Sequence, residues 1–171
     1  ATLQNVQPGE TGKLQFALQT LECPLWGPIE AKAYVIINDQ PIYTDEYAIT
    51  IKATLKEDFS KMTVEELQQA PIIEAHVPAL DTLKADKKYN ARLTLTNAGI
   101  NPLLIRRIVT SDETITTTAP KSAIKAGRKA DVNLLINTAG LKPGNYTRTI
   151  TIITNDPKKS VLNLAINWVI E

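Results

Sequence analysis

Short stretches in which apolar and polar residues alternate recur along most of the 171-residue chain. Residues 13–20 (KLQFALQT), 91–96 (ARLTLT) and 131–137 (DVNLLIN) each place apolar side chains on one face and polar ones on the other. This period of two is typical of an antiparallel strand with one buried face. Turn-forming residues separate the stretches, at positions 8–9, 38–39, 97–99, 143–144 and 155–157. The pattern predicts an all-β protein built as a sandwich or barrel.

One stretch, residues 60–70, has a helical pattern instead. Thr63 and Glu66 have the spacing of a capping box, and the proline directly after the stretch forbids its continuation. About two helical turns are not stable alone in water. We therefore expect a short linker helix that Val64 and Leu67 pack against the rest of the chain.

An internal repeat relates the parts of the chain on either side of this linker. Both copies contain an apolar residue, a glycine turn and an alternating stretch that ends in threonine. The aligned segments are residues 6–20 over 124–138, 34–39 over 151–156 and 48–51 over 163–166. Two units of the same architecture are the natural interpretation.

The repeat divides the chain into a partial β unit over residues 1–58, a linker over 59–72 and a full β-sandwich unit over 73–171. The first unit is partial because it has no counterpart of residues 80–120. Half a sandwich exposes an apolar face and unpaired strand edges. We expect the second unit, another chain or residues upstream of a truncation to cover it.

Composition narrows the range of functions. With 43% hydrophobic residues and 19 Lys and Arg against 18 Asp and Glu, the chain has no broad charge for binding nucleic acid. It contains no apolar run long enough to span a membrane and no leader before Ala1, although a leader could have been removed. A single cysteine, Cys23, and a single histidine, His76, exclude an internal disulfide and zinc sites of Cys or paired His.

Residues 93–111 (LTLTNAGINPLLIRRIVTS) resemble a bacterial family, the domain of unknown function 1573, which is abundant in Bacteroidetes. In that family a strand ends in Asn-x-Gly and Pro-Leu-x-Ile opens the next. Residues 124–127 are similar to the family's Ile-x-Pro-Gly turn, and residues 149–157 to its penultimate strand and turn. The resemblance implies an immunoglobulin-like sandwich over about residues 72–171.

The chain departs from the family where the family has Ser-Cys-Gly-Cys. Asp112 and Thr114 stand at the places of the two cysteines, so this unit lacks any thiol or soft-metal chemistry of that element. The resemblance further implies a periplasmic, outer-membrane-anchored or secreted protein, and it supplies no catalytic residues.

Two tryptophans are the candidates for contact with a partner. The loop that contains Leu25 and Trp26 has no counterpart in the second unit, and an apolar loop tip is a typical recognition element. Packing of Trp26 on its own sheet is the alternative. Trp168 lies in the last strand, where it is core if it shares the face of Leu164 and Ile166 and a binding platform if it points outward.

Other chemistry-bearing residues have simpler interpretations. His76 has no partner for a metal site, and Cys23 has no neighbouring cation in the sequence, which favours an inert thiol; an intermolecular disulfide stays open. Asp112 and Glu113 could join Asp131 or Asp156 around Ca²⁺, but the spacing fits no known loop. Basic doublets interspersed with acids are typical of solvated strand edges; they are Lys87-Lys88, Arg106-Arg107, Arg128-Lys129 and Lys158-Lys159.

These observations predict tandem immunoglobulin-like β-sandwich units, the first one partial, joined by a short helical linker. The predicted role is a non-catalytic, extracytoplasmic binding or structural module without cofactor, metal or nucleic acid, which contacts a protein or glycan through loops and strand edges. Self-association into a homodimer through exposed strand edges is a further possibility. The alternative is an accessory module or small hydrolase that acts on cell-surface polysaccharide, which would need a pocket with paired carboxylates.

Overall fold

A computed structural model describes residues 5–13, 17–20, 25–38 and 40–171. In these ranges strands dominate, and the one α-helix, α1, covers Val64–Gln69. The strands are β1 (Gly27–Tyr34), β2 (Ile36–Ile37), β3 (Gln40–Pro41), β4 (Ala48–Leu55), β5 (Ile73–His76), β6 (Thr82–Leu83), β7 (Lys88–Asn97), β8 (Ile105–Thr110), β9 (Ile115–Thr118), β10 (Lys129–Asn137), β11 (Gly144–Thr154) and β12 (Val161–Ile170).

Strands β5 to β12 form a sandwich of two four-stranded sheets. One sheet has the order β5-β7-β10-β9 and the other β6-β12-β11-β8. Pairing is antiparallel except between β6 and β12, which are parallel. The predicted all-β, immunoglobulin-like sandwich is thereby confirmed.

The inward residues of both sheets fill a single core. The predicted alternation over residues 91–96 and 131–137 is confirmed, because Leu93, Leu95, Val132 and Leu134 are buried and their neighbours face outward. Side chains from both sheets complete the core, among them Ile73, Ile136, Ile150, Ile152, Ile166, Trp168 and Ile170. Burial of this apolar surface, at roughly 25 cal/mol per Å², is the main stabilising contribution to the sandwich.

The first part of the chain contributes a two-stranded sheet, which we call the ribbon: β1 paired antiparallel with β4, from Gly27↔Leu55 to Tyr34↔Ala48. A small hairpin of β2 and β3 follows β1. The strand predicted over residues 13–20 is not found in its described part, since residue 13 and residues 17–20 form no strand. Residues 14–16 lie outside the described residues.

The ribbon reproduces the pairing of the last hairpin of the sandwich. Gly27 pairs with Leu55 as Gly144 pairs with Ile170, and the far end of each pairing corresponds as well. The sequence repeat had aligned residues 34–39 with 151–156 and residues 48–51 with 163–166, which includes the far ends Tyr34↔Ala48 and Thr151↔Asn163. The ribbon therefore has the same pairing pattern as β11 and β12.

Helix α1 has the predicted capping box. The hydroxyl oxygen of Thr63 accepts a hydrogen bond from the backbone N–H of Glu66, and the Glu66 carboxylate accepts one from the N–H of Thr63. The expected packing of Val64 and Leu67 is wrong, because these side chains are 65% and 41% exposed. The chain directly after the helix is anchored instead, and Ala70 is buried there.

Gly99 explains how the linker is held against the sandwich. A Cβ at Gly99 would lie 2.3 Å from the carbonyl oxygen of Ala70, so only glycine allows this approach. The N–H groups of Asn101 and Ala98 donate to the carbonyls of Gln69 and Ile72. The linker's end is thus fixed by backbone hydrogen bonds rather than by apolar packing of the helix.

Candidate functional site

The ribbon is held on the outer face of the sheet that contains β11. Ile153 follows Ile152, and alternation turns it away from the core between the sheets. It is nevertheless 0% exposed, because Gly27 lies directly over it. Gly27 has a φ of +82°, and a Cβ there would lie 2.9 Å from Cγ1 of Ile153. A glycine therefore allows β1 to begin in close contact with the sandwich.

Two arginines of β8 add polar contacts at this junction. The Nη1 of Arg107 donates to the carbonyl oxygens of Trp26 at 3.0 Å and of Pro28 at 3.4 Å. The Nη2 of Arg106 donates to Glu57 Oε2 at 2.9 Å, and its guanidinium lies 5.1 Å from the centre of the Trp26 ring. The junction therefore combines an ion pair, a cation–π contact and hydrogen bonds, all at the end of the ribbon where β1 begins and β4 ends.

Three observations show which backbone groups of the ribbon face outward. The carbonyl of Pro28 faces Arg107, and proline has no N–H with which to pair to β4. The N–H of Ala48 donates to the backbone carbonyl of Asp45 and not to β1. In an antiparallel pair both backbone groups of a residue point the same way. These directions alternate from residue to residue along a strand. The N–H and C=O groups of β4 that face away from β1 therefore belong to Ala48, Thr50, Lys52 and Thr54.

No backbone hydrogen bond joins these outward groups of Thr50, Lys52 and Thr54 to another described segment, and β4 pairs only with β1 among the described strands. The side chains of the same residues are exposed, whereas those of Ile49 and Ile51 are half-buried on the opposite face. Among the described residues, β4 is therefore an ordered strand with one unpaired edge, which can accept another strand.

Charged residues on the exposed face of the ribbon are paired within the chain. Lys32 Nζ lies 2.7 Å from Asp45 Oδ1, and the Lys52 amine lies 3.5 Å from Glu30 Oε2. The hydrogen bond and the charge of the partner raise the pKa of Lys32 and lower the pKa of Asp45. A shallow, open concavity of about 460 Å³ runs along this part of the ribbon.

The predicted partner contacts have three different environments. Leu25 is 50% exposed, while Trp26 is half-buried beneath Arg106, so the loop tip is only partly available. Trp168 is 2% exposed and lies in the core with Ile166. It takes the core alternative of the two predicted for it, because β12 places it on the inward face, and it offers no surface to a partner.

The structure does not bring His76 and the acidic candidates together into a metal site. In the part of the chain that is described, no three His, Cys, Asp or Glu side chains converge. His76 is exposed at the end of β5, and Cys23 lies outside the described residues. Glu113 lines an open concavity of about 650 Å³ beside β9.

Asp112, at the place of a family cysteine, is tied to the sandwich by Arg148. The two side chains form an ion pair, and Asp112 Oδ1 accepts a hydrogen bond from the N–H of Thr114 at 2.9 Å. Burial is the largest single influence and raises the pKa of Asp112, but the hydrogen bonds from Thr114 and the charge of Arg148 outweigh it and hold the pKa below its usual value. Asp112 is thus a charged structural group.

The residues that carry the family resemblance hold the sandwich together. The side chain of Asn97 is 0% exposed; its Nδ2 donates to the carbonyls of Asn101 and Ile124, and its Oδ1 accepts from the N–H groups of Ile72 and Gly99. All four hydrogen-bonding positions of this amide are filled.

Asp156 has a similar structural role in the turn after β11. Its carboxylate is buried and accepts hydrogen bonds from the N–H groups of Ile73, Lys158 and Lys159. Because its oxygens already accept these backbone hydrogen bonds, the carboxylate is not free to bind calcium.

The basic doublets separate into two kinds. Arg106 and Arg107 contact the ribbon, as described above. The exposed lysines of the doublets include Lys88, Lys129, Lys158 and Lys159.

The sequence analysis did not single out the edge of β4 or the contact of Gly27 with Ile153. The sequence did contain one indication: Ile152 and Ile153 are consecutive, so they point to opposite faces of β11, and two large apolar residues in a row suggest that both faces are covered.

The sequence matches the model of the family described as "Protein of unknown function (DUF1573)" over residues 72–168, more than half of the chain. The protein belongs to this family. The match begins at the anchored end of the linker and covers the sandwich. Among curated proteins, none matches the chain.

Comparison with solved structures finds the following similarities. A protein of unknown function from Porphyromonas gingivalis, a member of the Bacteroidetes, is similar with a TM-score of 0.63 and 16% identity, over 89% of this chain and 68% of that one. A PapD-like domain of human CEP192 has a TM-score of 0.43 and 11% identity, over 70% of this chain and 95% of its own. The described helix α1 is too short and too polar to cross a membrane.

Proposed function

We propose that the protein is a non-catalytic binding module that captures an extended segment of a partner protein as an additional strand on β4. The observation that carries this proposal is the row of outward backbone groups at Thr50, Lys52 and Thr54, which pair with no other described segment. Main-chain hydrogen bonds to such an edge provide affinity, and alternate side chains provide selectivity.

The anchoring of the ribbon supports this function. An isolated two-stranded hairpin is only marginally stable in water, so it is a poor template for a third strand. Contacts of Gly27 with Ile153 and of Arg107 with two carbonyls hold β1, and β1 holds β4. Because the edge is ordered beforehand, a partner loses less of its binding free energy to ordering the site.

Binding rather than catalysis is favoured by the state of the candidate acids. Asp112 is paired with Arg148, and the carboxylate of Asp156 accepts three backbone hydrogen bonds. A glycosidase needs two carboxyl groups that face each other across a substrate cleft. The rings of both tryptophans are also engaged, Trp26 by Arg106 and Trp168 by the core.

We also propose that the module acts outside the cytoplasm, in the periplasm, at the outer membrane or after secretion. The family resemblance supports this location. Fractionation of the native cells, followed by detection with an antibody against residues 72–171, tests it. Recovery with the cytoplasmic fraction alone would contradict it.

The experiment for the binding function is selection from a library of random nine-residue peptides displayed on phage. Peptides with alternating apolar and polar residues are expected to bind the wild type. Thr50→Pro removes one outward N–H without breaking a bond to β1, and it should abolish binding of the selected peptides. Thr50→Ala keeps the N–H and serves as the matched control.

Equal binding of the selected peptides to wild type and Thr50→Pro would place their site elsewhere. In that case the edge of β4 is not the binding site. Circular dichroism of the proline variant, with its transition midpoint, verifies that the sandwich is still folded.

A further inference from the structure

We infer that the edge of β4 also accepts a second copy of this chain, so that two ribbons form one four-stranded sheet about a two-fold axis through Ile51. This inference rests on the proposed function, since it uses the same free edge. It names a specific occupant and a specific register.

Backbone geometry limits the possible registers. Only residues with outward N–H and C=O groups can exchange hydrogen bonds with a second strand, and in β4 these are the even-numbered residues from Ala48 to Thr54. Even-numbered residues must therefore lie opposite even-numbered residues of the other copy. Pairing even-numbered with even-numbered residues also places the half-buried apolar side chains of both copies on the same face of the sheet.

Charge and overlap select one of the remaining registers. If Lys52 faced Lys52 of the second copy, two like charges would lie directly opposite each other, which is destabilising. Shifting the centre to Ile51 places Lys52 opposite Thr50 and keeps Ala48 to Thr54 paired. Registers centred nearer either end of β4 pair fewer residues. The Ile51 register is the longest that meets both conditions.

The same register gives the dimer a continuous apolar face. Ile51 lies opposite Ile51 of the second copy, and Ile49 lies opposite Ala53. Each interaction occurs twice, as a two-fold interface requires. The sheet grows from two strands to four, the range in which a sheet with an apolar face is independently stable.

Charge substitutions test this register. In the wild type we expect a dimer whose dissociation constant is measurable by sedimentation equilibrium. Thr50→Lys places a lysine opposite Lys52 at both symmetry-related positions and should raise that constant about tenfold. Thr50→Glu should lower it. Thr54→Lys is the matched control, because residue 54 lies opposite Ala48, and it should change the constant by less than about twofold.

Disulfide capture tests the position of the axis. In a Cys23→Ser background, Ile51→Cys should form a disulfide-linked dimer under mild oxidation. The two positions form a non-hydrogen-bonded pair with Cα atoms about 4.5 Å apart, within the range for a disulfide. Ala53→Cys lies opposite Ile49 and should stay monomeric. Cross-linking through Ala53→Cys and not Ile51→Cys would overturn the register.

The outcomes separate this inference from the proposed function. A wild-type chain that is monomeric at all concentrations overturns the dimer, yet the function stands if selected peptides bind and Thr50→Pro abolishes their binding. A dimer that persists unchanged in both Thr50→Pro and Thr50→Lys overturns the inference, because its interface then lies away from β4.

Discussion

Gly27 lies directly on Ile153, on the face of β11 that points away from the core. This contact joins the first strand of the ribbon to the penultimate strand of the sandwich. Ile153 would otherwise expose a large apolar side chain, and a residue larger than glycine at position 27 would hold the two strands apart. The contact is thus the apolar centre of the junction that keeps β4 in place.

Substitution of Gly27 should therefore loosen the ribbon. Gly27→Ala adds a Cβ at a φ of +82° and only 2.9 Å from Ile153 Cγ1, which combines backbone strain with overpacking. We expect a loss of about 2 kcal/mol in the stability of the ribbon. Native-state hydrogen exchange of the β1 amides measures it.

Gly140→Ala is the control for backbone strain alone, since Gly140 has a φ of +70° and nothing within 4 Å of a Cβ. It should cost about 1 kcal/mol. Equal costs at the two positions would show that the contact with Ile153 contributes nothing.

Arg107 should control the order of the ribbon without controlling the sandwich. Arg107→Met keeps an apolar stem but removes the donor to the Trp26 and Pro28 carbonyls. Amides of β1 and β4 should exchange about tenfold faster, from the loss of roughly 1–1.5 kcal/mol of hydrogen bonding. Amides of β7 and β10 should be unchanged. Faster exchange throughout the sandwich would assign Arg107 a general role in stability.

Asn97 should be among the most sensitive positions of the sandwich. Asn97→Asp keeps the shape but replaces two donated hydrogen bonds with repulsion between a carboxylate and the carbonyls of Asn101 and Ile124. A buried charge without a partner costs about 3–5 kcal/mol. Urea denaturation measures the change in the free energy of unfolding. A loss below about 1 kcal/mol would mean that the amide's hydrogen bonds are replaced by solvent.

Asp112 should contribute to stability at neutral pH and lose that contribution in acid. Its pKa in the folded chain is below that of the unfolded chain, so the stabilisation is present above the unfolded pKa and disappears as the pH falls through the folded pKa. Asp112→Asn should therefore be less stable than wild type at pH 7. The two curves of unfolding free energy should converge as the pH falls from roughly 5 to 2. A constant difference across that range would contradict the ion pair with Arg148.

Local patterns predicted much of the sandwich. Strands β7 and β10 follow from alternation, and the capping box of α1 follows from the spacing of Thr63 and Glu66. Alternation alone was insufficient for residues 17–20, which form no strand, because a strand needs a partner backbone as well as an amphipathic pattern.

The candidate site was harder to predict for the same reason. Strand edges are defined by what does not pair, and pairing partners are remote in sequence. Trp168 shows the related difficulty, since its face depends on the register of β12 with β11, where it lies opposite Tyr146. The linker was mispredicted for a different reason. Val64 and Leu67 are apolar, which suggested that the helix is held by side-chain packing, but backbone hydrogen bonds near Gly99 hold the segment instead.

The central claim is that β4 is an ordered strand with one free edge, and hydrogen exchange of individual β4 amides by NMR tests it most directly. At concentrations where the chain is monomeric, the amides of Ile49, Ile51 and Ala53 should be protected, because they face β1. The amides of Thr50, Lys52 and Thr54 should exchange rapidly and become protected when a strand is added. Uniform protection in the monomer would show an occupied edge, uniform rapid exchange would show that the ribbon is not formed, and either result would contradict the account.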